Sequence, residues 1–105
     1  MSDMYNTTIP ELMLSTMRNA DAEKAERLFD DAEFCGRKLM EGIMTTGRLL
    51  SGMGDGLDPQ MWELQSMGDS LAVMAELATG FYDVVDLYRC RQLAGELPPL
   101  RGAIR

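Results

Sequence analysis

The chain has 105 residues, enough for one small hydrophobic core and one domain. Its 17 acidic and 10 basic residues give a formal charge of -7, so we expect no direct binding to a nucleic acid backbone and no attraction to an anionic membrane. The absence of histidine removes the usual general base and the carboxylate–histidine metal motif of helical bundles. These features predict a protein that is not an enzyme and uses neither cofactor nor metal.

The chain contains no candidate membrane span, because no run approaches the roughly 18 apolar residues that a span requires. The segment from Met1 to Met4 is neither basic nor followed by an apolar stretch like that of a secretion signal. We therefore expect a cytoplasmic protein without membrane contact.

Two cysteines, Cys35 and Cys90, are the only candidates for a disulfide. If they lie on antiparallel helices that turn near Asp55, they are separated by roughly 22 Å along the helix axis. That distance exceeds what a disulfide spans. We predict two free thiols, with Cys35 buried and Cys90 nearer the surface.

The first predicted helix is short and begins near Thr8, which together with Glu11 matches a capping box that places Pro10 in the first turn. Asn19 is then a candidate N-cap for a second helix, with acidic residues in the following turn where the helix dipole favours them. A single helix that continues through Asn19 is the alternative at this position.

The second predicted helix runs from about Ala20 to Leu50 and carries a repeat of seven. Its apolar positions are Ala25, Leu28, Ala32, Cys35, Leu39, Gly42, Thr46 and Leu49, flanked by Phe29, Gly36, Ile43 and Leu50. Small residues in the middle of this stripe allow another helix to approach closely.

The third predicted helix follows a glycine-rich turn over residues 51–56, with Asp58 as N-cap and Pro59 in the first turn, and ends near Leu93. Its core positions are Leu64, Met67, Leu71, Met74, Ala78, Phe81, Val85 and Tyr88, and Val73, Leu77, Val84 and Leu87 lie beside them. This apolar face is wider than one neighbouring helix covers. The first helix, a second copy of the chain or another protein is expected to cover the remainder.

The fold predicted from these elements is all-α: a long antiparallel helical hairpin with a short N-terminal helix, completed as a three-helix bundle or as a dimeric four-helix core. We place a single helical domain over residues 1–95 and a C-terminal tail over residues 96–105.

An acidic stretch is the most distinctive feature of the chain, since no Lys or Arg lies between Leu49 and Tyr88. The predicted partner-binding residues are Glu63, Asp69, Glu76, Asp83 and Asp86, of which the middle three repeat every seven positions. A solvated face is the plain explanation, but surfaces selected only for solubility normally mix both signs of charge. The stretch therefore predicts a binding surface for a protein partner with a basic surface.

In being small, acidic, helical and without catalytic residues, the chain resembles the inhibitor proteins made by bacteriophages and mobile elements, of which anti-CRISPR proteins are an example. The resemblance implies a stoichiometric inhibitor of a nucleic-acid-handling protein complex, and it assigns no site residue. The alternative is a small acidic secretion chaperone or adaptor that holds a partner helix on the apolar face around Leu77 and Val84.

Overall fold

The computed structural model describes residues 8–54, 56 and 58–98, and these residues form three helices. Helix α1 spans Thr8–Met17, α2 spans Ala22–Ser51 and α3 spans Met61–Leu93. The described parts of the chain contain no strand and no helix that is long and apolar enough to cross a membrane. The predicted all-α hairpin with a short N-terminal helix is confirmed.

Helices α2 and α3 run antiparallel along each other in a defined register. Near one end the rings of Phe29 and Tyr88 stack with centroids 4.6 Å apart. Further along, a Cβ atom on Gly36 would lie 3.2 Å from the ring of Tyr82. The absence of a side chain at Gly36 thus lets the tyrosine pack directly on the α2 backbone, as the small residues of this helix predicted.

The chain breaks between α1 and α2, so the alternative of one continuous helix is wrong. Asp21 is the N-cap of α2, because its side-chain Oδ1 accepts a hydrogen bond from the backbone N–H of Lys24 at 2.9 Å. The prediction of Asn19 as the cap is also wrong. The Asn19 N–H donates to the carbonyl of Thr16 at 3.3 Å and so belongs to the last turn of α1.

Helix α3 begins at Met61, and the predicted start at Asp58 and Pro59 is two residues too early. The N-cap is Gln60, whose backbone N–H donates to the Glu63 Oε1 at 2.7 Å. An acidic side chain three residues after the cap satisfies one of the N–H groups that the helix start leaves without a partner.

Arg91 fastens the end of α1 to α3. Its guanidinium Nη1 donates to the carbonyls of Met17 and Ala20, each at 2.8 Å, and its Nε pairs with the Glu96 carboxylate at 2.8 Å. Met17 is the last residue of α1 and Ala20 lies in the connection to α2, so this one side chain holds both the helix end and the connection to α3.

The hydrophobic core lies at the end of the hairpin where α1 packs. Its buried residues are Met17, Ala20, Ala25, Phe29, Ala32, Ala78, Phe81, Val84, Val85, Tyr88 and Leu97. Of the described residues between Gly36 and Ala78, none is buried. We call residues 37–51 of α2 and 61–77 of α3 the turn-end half; its helices extend roughly 22 Å beyond the core.

Three positions that were predicted to lie in the core are exposed in the turn-end half. Leu49 is 70% exposed, Leu64 40% and Met67 37%. Their helical spacing places them on the apolar stripe, but neither of the other described helices lies over that part of the stripe to cover them. The helical period describes the direction of a side chain, and burial requires a neighbour as well.

The chain packs against the core after α3 ends. Leu97 is buried in the core cluster, and the Gln92 side-chain amide donates to the Pro98 carbonyl at 3.0 Å. Residues 99–105, which make up most of the predicted tail, lie outside the described residues.

Both cysteines are free thiols, as predicted. Cys35 is partly buried beside the core and Cys90 is exposed.

Candidate interaction surfaces

Helix α1 covers one face of α3, beginning at Gly80. A Cβ atom on Gly80 would lie only 2.7 Å from the Cβ of Pro10, so α1 rests directly on the α3 backbone there. Trp62, Asp69 and Val73 precede Gly80 by 18, 11 and 7 positions and therefore lie on the same face of α3. We call this the α1-side face. Toward the turn it is open, since the Trp62 side chain is 65% exposed.

The five predicted partner-binding residues are all exposed on α3. In the part of the chain that the structure describes, none of these five carboxylates takes part in an ion pair. Glu63 has a structural role as well, because it accepts the hydrogen bond from the N-cap of α3. Asp69 and Glu76 lie beside the open part of the α1-side face.

Two of the predicted residues line a cavity that α1 completes. The cavity has a volume of about 180 Å³, and its lining residues are Pro10, Glu11, Leu14, Glu76, Thr79, Gly80 and Asp83. It combines an apolar floor with a rim of three carboxylates from two helices. Glu63, Asp69 and Asp86 do not line it.

The sequence did not identify Glu11 as part of this acidic rim. Glu11 was assigned only a capping role, because a local pattern does not reveal beside which face of α3 the short helix lies. Within the described residues no three acidic or cysteine side chains are arranged so that they could hold a metal ion. The cavity therefore offers separated negative charges, which suit an elongated cationic side chain.

Two acidic residues of α2, Glu33 and Glu41, differ from those of the α3 row in pairing with basic neighbours. Arg37 pairs with Glu33 at 3.4 Å and with Glu41 at 3.9 Å, and Lys38 pairs with Glu41 at 3.2 Å. These are exposed pairs one helical turn apart, each worth only tenths of a kcal/mol. These pairs give the surface of α2 both signs of charge. On α3, by contrast, no basic residue accompanies the carboxylates before Arg89.

The turn-end half and the turn that follows α2 also expose large apolar side chains, each between 37 and 70% accessible. They are Met40, Met44, Leu49, Met53, Met61, Trp62, Leu64 and Met67. The wide apolar face that we predicted is thus uncovered in the turn-end half, whereas we expected it to be uncovered around Leu77 and Val84. Around Val84 and Leu77 it is closed, since Val84 is fully buried and Leu77 is partly buried against the core.

No family model, no curated protein and no solved structure matches this chain.

Proposed function

We propose that this chain is a non-enzymatic protein that binds a partner protein with a basic surface in a stoichiometric complex. The observation that carries the proposal is the row of exposed carboxylates on α3, which have no ion-pair partner in the described chain. A surface of one sign attracts a partner of the opposite sign and accelerates its association.

The α1-side face suits a partner segment that is both basic and apolar. Trp62 and Val73 offer apolar contact there, and Asp69 and Glu76 lie beside them at helical spacing. An amphipathic helix with an apolar stripe and flanking Arg or Lys side chains matches this combination. Trp62 is the expected centre of the contact, because tryptophan commonly dominates interface energies.

The biological role that we propose is inhibition of a nucleic-acid-handling protein complex. Proteins that hold a nucleic acid backbone present grooves lined with Arg and Lys. A helix that displays carboxylates, among them Asp69, Glu76 and Asp83 at intervals of about 10.5 Å, is suited to compete for such a groove. This role agrees with the resemblance to the small acidic inhibitors of phages and mobile elements.

Charge reversal tests the proposal. Tagged wild-type chain is used to capture its partner from the native host, and the triple variant Asp69→Lys, Glu76→Lys, Asp83→Lys is compared with it. We expect at least about a tenfold loss of affinity, and a wild-type affinity that falls steeply with added salt.

A matched control separates a specific surface from net charge. The variant Glu23→Lys, Asp30→Lys, Asp31→Lys makes the same change of charge on exposed positions of α2. It should retain the partner, with helicity of both variants checked by circular dichroism. Equal loss of binding in the two triple variants, or full binding by the α3 variant, would contradict the proposal.

The second candidate function is a secretion chaperone or adaptor that holds a partner helix by apolar contact. Two large apolar side chains that could make such a contact are mostly exposed, Leu49 at 70% and Trp62 at 65%, and this favours the second candidate. In that case Leu49→Ala with Trp62→Ala abolishes partner capture, charge reversal on α3 leaves it intact, and binding persists in high salt.

A further inference from the structure

The hairpin has a second face, on the side away from α1, that none of the three described helices covers. Tyr82 lies across Gly36 on this face, whereas Pro10 of α1 meets α3 at Gly80 on the other. Met61 precedes Tyr82 by three repeats of seven, so it points to the same side of α3.

We call the turn-end part of this side the methionine face. Its residues are Met40, Met44 and Gly47 from α2 and Met61, Leu64, Gly68, Leu71 and Ala75 from α3. The exposed fractions of its largest side chains are 39% for Met40, 50% for Met44, 68% for Met61 and 40% for Leu64. None of these residues is charged.

Packing within the described chain does not require glycine at Gly47 or Gly68, the two glycines of the methionine face. A Cβ atom on Gly47 or on Gly68 would have no neighbouring atom within 4 Å, and both lie inside helices, where glycine is unfavourable. The α2–α3 register, which pairs Gly42 with Met74, brings the two glycines within about one helical turn of each other. Neither position carries a side chain that would keep another helix at a distance.

The area of the uncovered side is sufficient for a stable interface. From Met61 to Tyr82 it is roughly 30 Å long, and two helices packed side by side are about 20 Å wide. Its projected area is therefore on the order of 600 Å² per copy, close to the roughly 800 Å² that each partner contributes to a standard interface.

We infer that a second copy of this chain covers the methionine face. Because each chain carries a charge of -7, two copies approach best through this uncharged set of side chains, beside which Glu41 is already paired with Arg37 and Lys38. Each turn-end half has only two helices, so two halves packed face to face complete a four-helix bundle through an isologous contact. This inference goes beyond the proposed function and leaves the α1-side face of each copy free.

The mass of the wild-type chain in solution tests the inference. Light scattering and sedimentation equilibrium over a dilution series should give the dimer mass at concentrations on the order of 100 µM and dissociation on dilution. The melting temperature should rise with protein concentration, because assembly stabilises the folded state by mass action. A wild-type chain that stays monomeric throughout, with a constant melting temperature, overturns the inference.

Variants locate the contact. Met44→Glu with Met61→Glu places charge on two exposed positions of the face and should raise the dimer dissociation constant at least about tenfold. Leu93→Glu is the matched control, an 88% exposed apolar residue at the other end of α3, and should dimerise like wild type. Normal dimerisation by the double variant, or equal loss in the control, overturns the inference.

The variant Gly68→Gln distinguishes loss of the dimer contact from unfolding of the chain. Glutamine is the better helix former and meets no atom within one chain, so helicity should stay the same or rise while dimerisation weakens at least about tenfold. Trp62, the single tryptophan, lies on the α1-side face and should keep the fluorescence of an exposed indole in the dimer. A blue shift that accompanies dimerisation places the contact on the wrong face and overturns the inference.

Discussion

Arg91 is the residue that connects the most distant parts of the described chain. It reaches two carbonyls at the end of α1 and the carboxylate of Glu96 while its own backbone belongs to α3. A guanidinium group suits this position because its planar fork of five N–H donors serves several acceptors at once. The short α1 thereby gains a fixed end without an internal capping residue.

Replacement of Arg91 by Ala should lower the free energy of unfolding by about 2–3 kcal/mol, since hydrogen bonds to a charged group and partly buried carbonyls are lost together. Chemical denaturation followed by circular dichroism measures the change. Arg91→Lys should recover only part of it, and Arg18→Ala, at an exposed position, should stay within about 0.5 kcal/mol of wild type. Equal effects at positions 18 and 91 would contradict this role.

Asp30 lies in an acidic cluster on α2. Desolvation by burial, followed by repulsion from Glu26, Asp31 and Glu33, raises the pKa of its carboxyl above the ordinary value of 3.8. Because the folded-state pKa is raised, ionisation of Asp30 opposes folding. The penalty is absent below the ordinary pKa, develops as pH rises through the raised value, and is fully present at neutral pH.

Asp30→Asn should therefore increase the free energy of unfolding at pH 7, by less than about 1 kcal/mol because the group is exposed and screened. Below pH 3.8 the difference from wild type should disappear. Denaturant titrations at the two pH values measure it. A variant that is less stable than wild type at pH 7 would show that the carboxylate makes a favourable interaction instead.

Helix α1 makes its closest backbone approach to α3 near its first turn. Pro10 rests on Gly80, where any side chain on α3 would overlap with it. Gly80→Ala should destabilise the protein by about 1–3 kcal/mol, because the added methyl group must push α1 outward. Thermal and chemical denaturation measure the effect.

Thr79→Ala is the neighbouring control for Gly80→Ala. Thr79 is exposed, and its hydroxyl bonds only to the Ala75 carbonyl of its own helix, so its loss should change stability by no more than about 0.5 kcal/mol. If Gly80→Ala is as stable as this control, α1 is free to shift and does not define the cavity beneath Glu11.

The helices themselves could be predicted because apolar residues recur at helical spacing over 30 residues in α2 and 33 in α3. The first residue of each helix could be predicted less accurately than the helix itself. Asn19 and Asp21 are both good N-caps, and such candidates differ by only about 1 kcal/mol. Tertiary contacts, including the Arg91 bond to the Ala20 carbonyl, are of the same size and decide between them.

At the scale of the whole molecule, stability is unevenly distributed. Buried residues are confined to the end where three helices meet, and the described residues 37–77 include none. A helical hairpin without a core opens locally far more easily than one that packs against a third helix. The molecule thus has a well-packed end where α1 lies and a weakly packed end at the turn.

Amide hydrogen exchange should report this difference directly. In dilute solution, where any assembly is dissociated, amides of the turn-end half should exchange at least about tenfold faster than those of residues 25–32 and 81–88. Mass spectrometry of peptides from the two regions measures the rates. At high concentration the turn-end amides should gain protection if a second copy covers them, and uniform protection in dilute solution would contradict the uneven core.

The helical class, the order of the three helices, the antiparallel hairpin and the free cysteines could be predicted from the residues alone, because these follow from local periodicity, turn residues and helix rise. Which apolar residues are covered and which carboxylates meet depended on how the helices pack. Leu64 and Val84 both belong to the wide apolar face predicted from the sequence, yet the first is exposed and the second fully buried. Glu11 and Glu76 likewise share a cavity although 65 residues separate them. The physical reason is that a helical period sets the direction of each side chain, whereas burial and proximity depend on where another helix lies. Helix α1 rests on α3 at Gly80, close to the buried Val84 and far along the helix from the exposed Leu64.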